Sequence, residues 1–130
     1  MQYIGKLDKE KLGKYKEKII TEDVIMTDER IEHMHIRHPG DYEKYIEYIS
    51  NIVNKPDYIL EDIDNKETLL FLKTIIENQK NVEVVVKLQT NKKDEGKCNS
   101  ILTFFHARKR TYNSAIKNNK IIYENLDKSE

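Results

Sequence analysis

The segment from Glu29 to Pro39 concentrates the side chains of this sequence that are best suited to acid–base chemistry. Three of the four histidines and two arginines lie within it. Histidine changes its charge near neutral pH, so it suits proton transfer. Arginine carries a permanent positive charge on a fork of donors that fits a phosphate group. The segment therefore indicates general acid–base chemistry beside an anion. The five residues are His33, His35, His38, Arg30 and Arg37.

A helix is predicted to carry this segment, beginning after Thr27 and ending near His38. Thr27 is a good N-cap residue, and the residue before Pro39 is pushed out of the helical region. Positions spaced by three and four residues then form one stripe that faces the protein. This stripe consists of Ile31, Met34, His35 and His38. A purely structural role, with the histidine nitrogens satisfied by backbone groups, is the alternative interpretation.

Metal binding by the histidine cluster is disfavoured by its spacing. His33 and His35 lie roughly 200° apart around a helix, so the three histidines do not share a face. His35 and His38 alone could ligate, as such pairs do at some helix-borne sites, but no carboxylate or cysteine is placed to complete a zinc site. The four glycines form no phosphate-binding or dinucleotide-binding motif. We therefore expect neither a metal nor another cofactor.

Two strand-like runs later in the chain add candidates for binding phosphate. Lys87 interrupts the β-forming run Val82–Leu88, where it either stabilises charge on a phosphate oxygen or simply faces solvent. Ser100 and Thr103 lie in the run Asn99–His106. In a regular strand they point to opposite faces, so only one of them shares a cleft with Lys87 unless a β-bulge intervenes.

Charge is balanced over the whole chain but not along it. The 23 lysines and arginines equal the 23 aspartates and glutamates in number, which counts against a large, non-specific nucleic-acid footprint. Between His106 and Lys120 there are five basic residues and no acid. This run is either a solvated helix face or a nucleic-acid contact. The candidate contacts are Arg108, Lys109, Arg110 and Lys117, with His33 from the histidine cluster.

Length and composition bound the class of protein. A chain of 130 residues fits one domain with a single core, which we take as residues 1–130. No run of about 18 apolar residues is present and the N-terminus lacks the apolar region of a signal peptide, so we expect no membrane partner. Cys98 is the single cysteine. It excludes an internal disulfide and favours a reducing, cytoplasmic setting.

The remaining pattern predicts an α+β domain, with two helices packed on a four-stranded antiparallel sheet, a C-terminal helix and a short last strand. Residues 2–6 and 15–26 read as an N-terminal extended segment or hairpin. The second helix starts at Asp41 and buries one face. Asn91–Lys97 is expected to be a mobile hairpin tip, and the last seven residues are expected to fray. The four strands are Tyr58–Glu61, Thr68–Ile76, Val82–Thr90 and Asn99–His106, followed by a helix over Arg108–Asn118 and a strand over Lys120–Tyr123.

The order of these motifs resembles a known superfamily. The helix containing Glu32-His33-Met34-His35-Ile36-Arg37-His38-Pro39 precedes Lys55-Pro56-Asp57-Tyr58, then Val84-Val85-Val86-Lys87-Leu88, then Ser100-Ile101-Leu102-Thr103. This arrangement is similar to the phage-borne nuclease-like domains of the Barnase–EndoU–colicin–RelE superfamily. These are small metal-independent ribonucleases of toxins, phages and mobile elements. The resemblance covers residues 27–124 and leaves residues 1–26 as an N-terminal extension.

What the resemblance implies is a helix packed on a four-stranded antiparallel sheet, with RNA cleaved in a groove. The ribose 2′-hydroxyl would attack the adjacent phosphate and leave a 2′,3′-cyclic phosphate. His38 or His35 would act as base or acid, without a metal. The groups implied to hold the phosphate are Lys87, Arg37, and Ser100 or Thr103.

Two functions from different classes follow from this reasoning. The first is a cytoplasmic, metal-independent endoribonuclease, with tRNA as one substrate to consider. An active nuclease would harm its host, so a protein inhibitor is one partner to consider. The alternative is a catalytically silent RNA- or protein-binding domain of a phage or mobile element. In that case the histidine cluster is structural and the basic last helix makes the contact.

Overall fold

A computed structural model describes residues 1–94 and 96–127 of the chain. It shows an α+β fold in which three helices pack on one seven-stranded sheet. The strands are β1 (Gln2–Lys6), β2 (Asp23–Met26), β3 (Tyr58–Glu61), β4 (Thr68–Ile75), β5 (Lys80–Lys87), β6 (Asn99–His106) and β7 (Lys120–Glu124). The helices are α1 (Asp28–Arg37), α2 (Asp41–Asn54) and α3 (Lys109–Asn118).

The sheet is larger than the sequence analysis predicted. Its strand order is β1-β2-β6-β5-β4-β3-β7. The four central strands form the expected antiparallel meander, but β2 joins β6 in parallel and β7 joins the far side of β3. The prediction of a four-stranded antiparallel sheet is therefore wrong. The pairings that were not predicted, β2 with β6 and β7 with β3, join segments far apart in the sequence. Hydrophobic periodicity identifies a strand but does not identify the strand with which it pairs.

Several element boundaries also differ from the predicted ones. Of the extended segment over residues 15–26, only Asp23–Met26 is a strand; it pairs with β1 in antiparallel fashion. Before this strand lie two 3₁₀ turns, Lys9–Lys11 and Gly13–Tyr15. Leu7, Leu12 and Tyr15, in or next to these turns, are buried in the largest hydrophobic cluster. The predicted tip Asn91–Lys97 contains a 3₁₀ turn over Lys92–Asp94. Glu95 of that tip, and residues 128–130 of the segment expected to fray, lie outside the described residues.

The two faces of the sheet are covered by different helices. On one face, the α2 face, α1 and α2 pack over the main core, which includes Met34 and Ile49 from the helices. On the opposite face, the α3 face, Tyr112 of α3 packs in a smaller cluster with Leu70 and Leu72. Consecutive residues of a strand therefore alternate between the two clusters. Val85, for example, belongs to the α3 face, although the main core contains both of its neighbours in sequence.

The junction between α1 and α2 fixes where the histidine-rich helix ends. The Thr27 side chain accepts a hydrogen bond from the Arg30 amide (3.2 Å), so α1 begins as predicted. The His38 amide donates to the Met34 carbonyl (2.7 Å) and closes the helix directly before Pro39. Gly40 then takes φ = +85° and starts α2. This tight turn holds His38 beside the sheet.

Replacing Gly40 tests this junction, because the left-handed backbone conformation disfavours a side chain at this position and no steric contact does. A Cβ atom there would have no neighbour within 4 Å. We expect Gly40→Ala to lower the free energy of unfolding by about 1–2 kcal/mol, the cost of the left-handed region for a residue with a Cβ. Gly40→Asn should cost less, because asparagine tolerates that region. Urea unfolding of the three proteins measures both values, and equal losses in the two variants would contradict this explanation.

Candidate active site

A β-bulge in β6 decides which side chains share the α3 face. Ser100 lies opposite Lys87 of β5, and Thr103 lies opposite Val85. Ser100 and Thr103 are three positions apart on β6, whereas their partners Lys87 and Val85 are only two positions apart on β5. One extra residue is therefore inserted in β6. Directly opposed residues of an antiparallel pair point to the same face. Ser100, Thr103 and Lys87 consequently lie on one face.

Burial on the opposite face agrees with this register. Ile101 and Phe104 are three residues apart, yet both are fully buried in the main core on the α2 face. A regular strand would place them on opposite faces. Leu102, between them, is the extra residue of the bulge and is half-buried. A regular strand would let only one of Ser100 and Thr103 share a cleft with Lys87, and the bulge brings both hydroxyls to the same face.

His38 reaches the same face from the end of α1. On β6, strand β2 pairs only with Asn99 and Ser100, so among the described residues no strand lies beside the rest of that edge. Helix α1 follows β2 directly and contacts β6 along this edge. The His38 ring stacks on the ring of Phe105, with a centroid distance of 4.9 Å and an interplanar angle of 13°. Phe105 lies two residues beyond Thr103, on the α3 face.

These side chains form a line along one strand, which we call the β6 row. It consists of Ser100, Thr103 and Phe105 on β6, with His38 stacked on Phe105. His38, Ser100 and Thr103 are each half-buried. The row therefore combines an imidazole and two hydroxyl groups that are held in place by the fold and still reach solvent.

Lys87 lies beside the row but leans away from it. Its ammonium group donates a hydrogen bond to the Lys66 carbonyl (2.8 Å), in the turn between β3 and β4. The side chain is exposed. An ammonium group has three donors, so this bond leaves Lys87 able to bind an anion placed over β5 and β6.

The other predicted site residues lie elsewhere. His35 faces α2, where its Nδ1 atom is 3.3 Å from a Glu43 carboxylate oxygen and its ring contacts Tyr42 edge-on. His33 and Arg37 are exposed on α1. The structure thus separates His35 from the β6 row, while His38 belongs to it. The predicted nucleic-acid contacts Arg108, Lys109, Arg110 and Lys117 are exposed in and just before α3.

Glu83 is a candidate that the sequence analysis did not select. It lies opposite Phe105 on β5, on the α3 face, and only 8% of it is exposed. Within the described part of the chain, its carboxylate makes no hydrogen bond or ion pair. Burial, with a smaller contribution from Asp62, raises the pKa of Glu83 to about 7. The signal in the sequence was a lone glutamate inside a valine-rich strand.

Two further observations concern the described residues only. Over residues 1–94 and 96–127, no three histidine, cysteine, aspartate or glutamate side chains converge so that they could hold a metal ion. No helix in those ranges is long and apolar enough to cross a membrane.

The fold is an α+β domain in which an imidazole, a carboxyl group and hydroxyl groups lie on one face of the sheet. A family model described as phage-Barnase-EndoU-ColicinE5/D-RelE like nuclease2 (PBECR2) matches residues 2–124. The chain belongs to this phage-associated family of nuclease-like domains. The match includes the N-terminal strands that the sequence analysis set apart as an extension. No curated protein and no solved structure matches the chain.

The environment of Glu83 makes the stability of the fold depend on pH. The pKa of this carboxyl group rises from an ordinary 4.5 to about 7 on folding. Its contribution to stability is therefore full below pH 4.5 and is lost as the pH rises through 7. Glutamine has nearly the same shape and cannot ionise. We expect Glu83→Gln to be about 3 kcal/mol more stable than the wild type at about pH 8, and similar to it at about pH 4.

Urea unfolding at the two pH values measures this difference. Glu32→Gln is the matched control, because Glu32 is exposed on α1 and its replacement should leave the pH dependence unchanged. If wild type and Glu83→Gln changed in parallel between the two pH values, the carboxyl group would not have the raised pKa described above.

Proposed function

We propose that the protein is a metal-independent endoribonuclease that cleaves RNA by transesterification and leaves a 2′,3′-cyclic phosphate. The observation that carries this proposal is the β6 row, in which His38 shares one sheet face with Thr103 and Ser100. Glu83 and Lys87 lie on the neighbouring strand on the same face. Membership of a nuclease-like family supports cleavage of nucleic acid, and the nature of these side chains supports the choice of reaction.

His38 and Glu83 supply the proton transfers in this proposal. The 2′-oxygen of the ribose forms a bond to phosphorus while one group takes its proton. The bond from phosphorus to the 5′-oxygen then breaks, and the other group gives that oxygen a proton. Glu83 lies across the β5–β6 ladder from Phe105, and His38 stacks on Phe105. The two groups therefore flank one aromatic ring, and a carboxyl group with a pKa of about 7 is suited to either role near neutral pH.

Cations and hydroxyls on the same face hold the phosphate. Ser100 and Thr103 can each donate a hydrogen bond to a non-bridging oxygen. Lys87, opposite Ser100, stabilises the negative charge that develops on the phosphate in the transition state. Arg37 directly precedes His38 and is exposed, so it can add a second cation at the end of the row.

Binding of the rest of the RNA is assigned to the basic residues of α3. Arg108, Lys109 and Arg110 are exposed where α3 begins, and Lys117 is exposed in its last turn. Because α3 lies over the same sheet face as the row, a bound strand can contact both. A structured RNA such as tRNA is the first substrate to test, in a cytoplasmic setting. A protein inhibitor would cover the row and Lys87.

Cleavage in the presence of excess EDTA tests the reaction and its histidine. We expect discrete fragments with 2′,3′-cyclic phosphate ends from total tRNA and rRNA. His38→Ala should lower the rate by about 10²-fold or more, the usual contribution of an acid–base group. The matched control is His106→Ala, because His106 lies near Tyr45 on the α2 face and should keep wild-type activity. Circular dichroism should show all three proteins folded.

Two results would contradict the proposal. One is intact RNA at high protein concentration in every buffer, which would favour the silent binding domain. The other is cleavage that EDTA abolishes, which would favour a metal-dependent reaction. Equal losses in His38→Ala and His106→Ala would show that the effect comes from altered folding and would remove the assignment of His38.

Salt dependence of RNA binding tests the role of α3. We expect the double variant Arg108→Ala/Arg110→Ala to bind labelled single-stranded RNA more weakly and with a flatter dependence on salt, because fewer counterions are released. The control is Arg30→Ala/Lys44→Ala, which removes the same charge from α1 and α2. Fluorescence anisotropy over a range of salt concentrations measures both. Equal salt slopes in the two double variants would remove α3 from the RNA-binding surface.

A further inference from the structure

The outer edge of β6 carries backbone amides that need acceptors. Successive N–H groups of a strand point alternately to its two sides, so every second amide of β6 points away from β5. Beyond Ser100, no strand of the described part of the chain lies on that side. A backbone N–H group that is shielded from water and has no acceptor costs free energy. The end of β6 therefore needs an acceptor from something other than a strand.

Asp41 supplies that acceptor at His106. The His106 backbone amide donates a hydrogen bond to the Oδ2 atom of Asp41 (3.1 Å). The next amide, that of Ala107, points to the other side and donates to the Asn81 carbonyl (2.8 Å), as the alternation requires. The bond uses the backbone of His106 and not its side chain. The Asp41 carboxylate thus occupies the position that a carbonyl group of a neighbouring strand would have.

The backbone of Asp41 is bonded to His38. Its amide donates a hydrogen bond to the His38 carbonyl (3.1 Å), across the turn that Pro39 and Gly40 form. Asp41 is also the first residue of α2, whereas His38 directly follows the last residue of α1. Asp41 therefore joins three elements: the end of α1, the start of α2 and the end of β6.

These two hydrogen bonds close a ring of contacts around the His38 imidazole. His106, which the Asp41 carboxylate holds, directly follows Phe105. The Phe105 ring stacks on the His38 ring, with centroids 4.9 Å apart. The contacts thus run from His38 to Asp41, then to His106, then to Phe105 and back to His38. The backbones of His38 and Phe105 are thereby fixed relative to each other, as the stacking of their rings requires.

Aromatic contacts alone do not fix the position of α2 along β6 as closely. The rings of Tyr42 and Phe104 lie 5.9 Å apart, and those of Tyr45 and His106 lie 6.4 Å apart. They hold the first turns of α2 against the end of β6 on the α2 face. Ring pairs occur over a range of separations, whereas a hydrogen bond needs donor and acceptor within about 3 Å of each other. The bond from the His106 amide to Asp41 therefore sets the position most closely.

We propose that Asp41 is a positioning residue for His38, which it holds on the Phe105 ring at the end of the β6 row without itself touching RNA. Its role in a reaction rests on the proposed ribonuclease function, but the positioning does not. The group required is the acceptor oxygen of Asp41, because the bond runs from a neutral backbone amide. A negative charge at the start of a helix would instead stabilise α2 in general. Displacement of a reacting group by about 1 Å can lower a rate by about 10²-fold.

NMR of the His38 ring protons at one fixed pH tests the positioning without relying on activity. The Phe105 ring should shift these protons upfield, and Phe105→Leu gives their position without that ring. We expect Asp41→Ala to move the resonances most of the way to the Phe105→Leu position. Asp41→Asn keeps an acceptor oxygen and should leave them close to the wild-type position. Glu29→Ala is the matched control, because Glu29 is an exposed acid in the first turn of α1 and its replacement should change nothing.

Cleavage kinetics in excess EDTA test the consequence for the reaction. Asp41→Ala should lower kcat by about 10- to 10²-fold, because the imidazole is displaced. KM should stay within about twofold of the wild-type value, because the proposed phosphate contacts are unchanged. Asp41→Asn should keep kcat within about threefold of the wild-type value, since it retains the acceptor. Wild-type kcat in an Asp41→Ala protein whose His38 ring has left Phe105 would remove Asp41 from the reaction.

The outcomes separate the positioning from the reaction. Unchanged His38 resonances in Asp41→Ala, Asp41→Asn resonances equal to those of Asp41→Ala, or an equal change in Glu29→Ala would overturn the inference. The wild-type chain allows one more test, which stands even if Asp41→Ala does not fold. Its His106 amide should exchange in heavy water at least about tenfold more slowly than in an unfolded chain, and unprotected exchange would overturn the bond. If the chain cleaves no RNA, the ribonuclease proposal fails, and the NMR result still decides the positioning.

Discussion

The candidate site depends on one extra residue in β6. The bulge at Leu102 shifts the strand by one position, so that Ser100 and Thr103 face the same way. Without it, the alternation of a regular strand would turn one hydroxyl into the main core and one core side chain out towards solvent. The bulge is stabilised by its other face, because Ile101 and Phe104 are both completely buried there. Packing on the α2 face therefore fixes the chemistry available on the α3 face.

The second constraint is the shortness of β2. It pairs with two residues of β6 and is followed by α1. Helix α1 therefore lies along the part of the β6 edge that a longer β2 would have covered. A helix beside a strand can project its last side chain past the edge of the sheet, which a paired strand cannot do. The His38 side chain extends past this edge and contacts Phe105 on the α3 face, whereas α1 and α2 cover the α2 face. The turn at Pro39 and Gly40 ends the helix at the residue that makes this contact.

Local signals in the sequence predicted the elements well and their assembly poorly. The cap at Thr27 and the stop before Pro39 depend on neighbouring residues, and the structure confirms them. The pairings of β2 with β6 and of β7 with β3 join segments distant in the chain, so they could not be identified. His38 was selected for its residue type, but its contact with Phe105 needed the β2–β6 pairing. Glu83 was missed because its interest lies in burial without a partner, which only the packed structure displays.

The parallel pairing of β2 with β6 also bears on when the site comes into being during synthesis. The helix that carries His38 is made early, whereas the row on which His38 rests belongs to residues 99–106. About sixty residues separate the two, and they include the three strands β3, β4 and β5. A growing chain on the ribosome thus has the His38 imidazole long before it has the Phe105 ring on which this imidazole stacks. The α3 face beside His38 is therefore complete only after β6, at residues 99–106, has been synthesised.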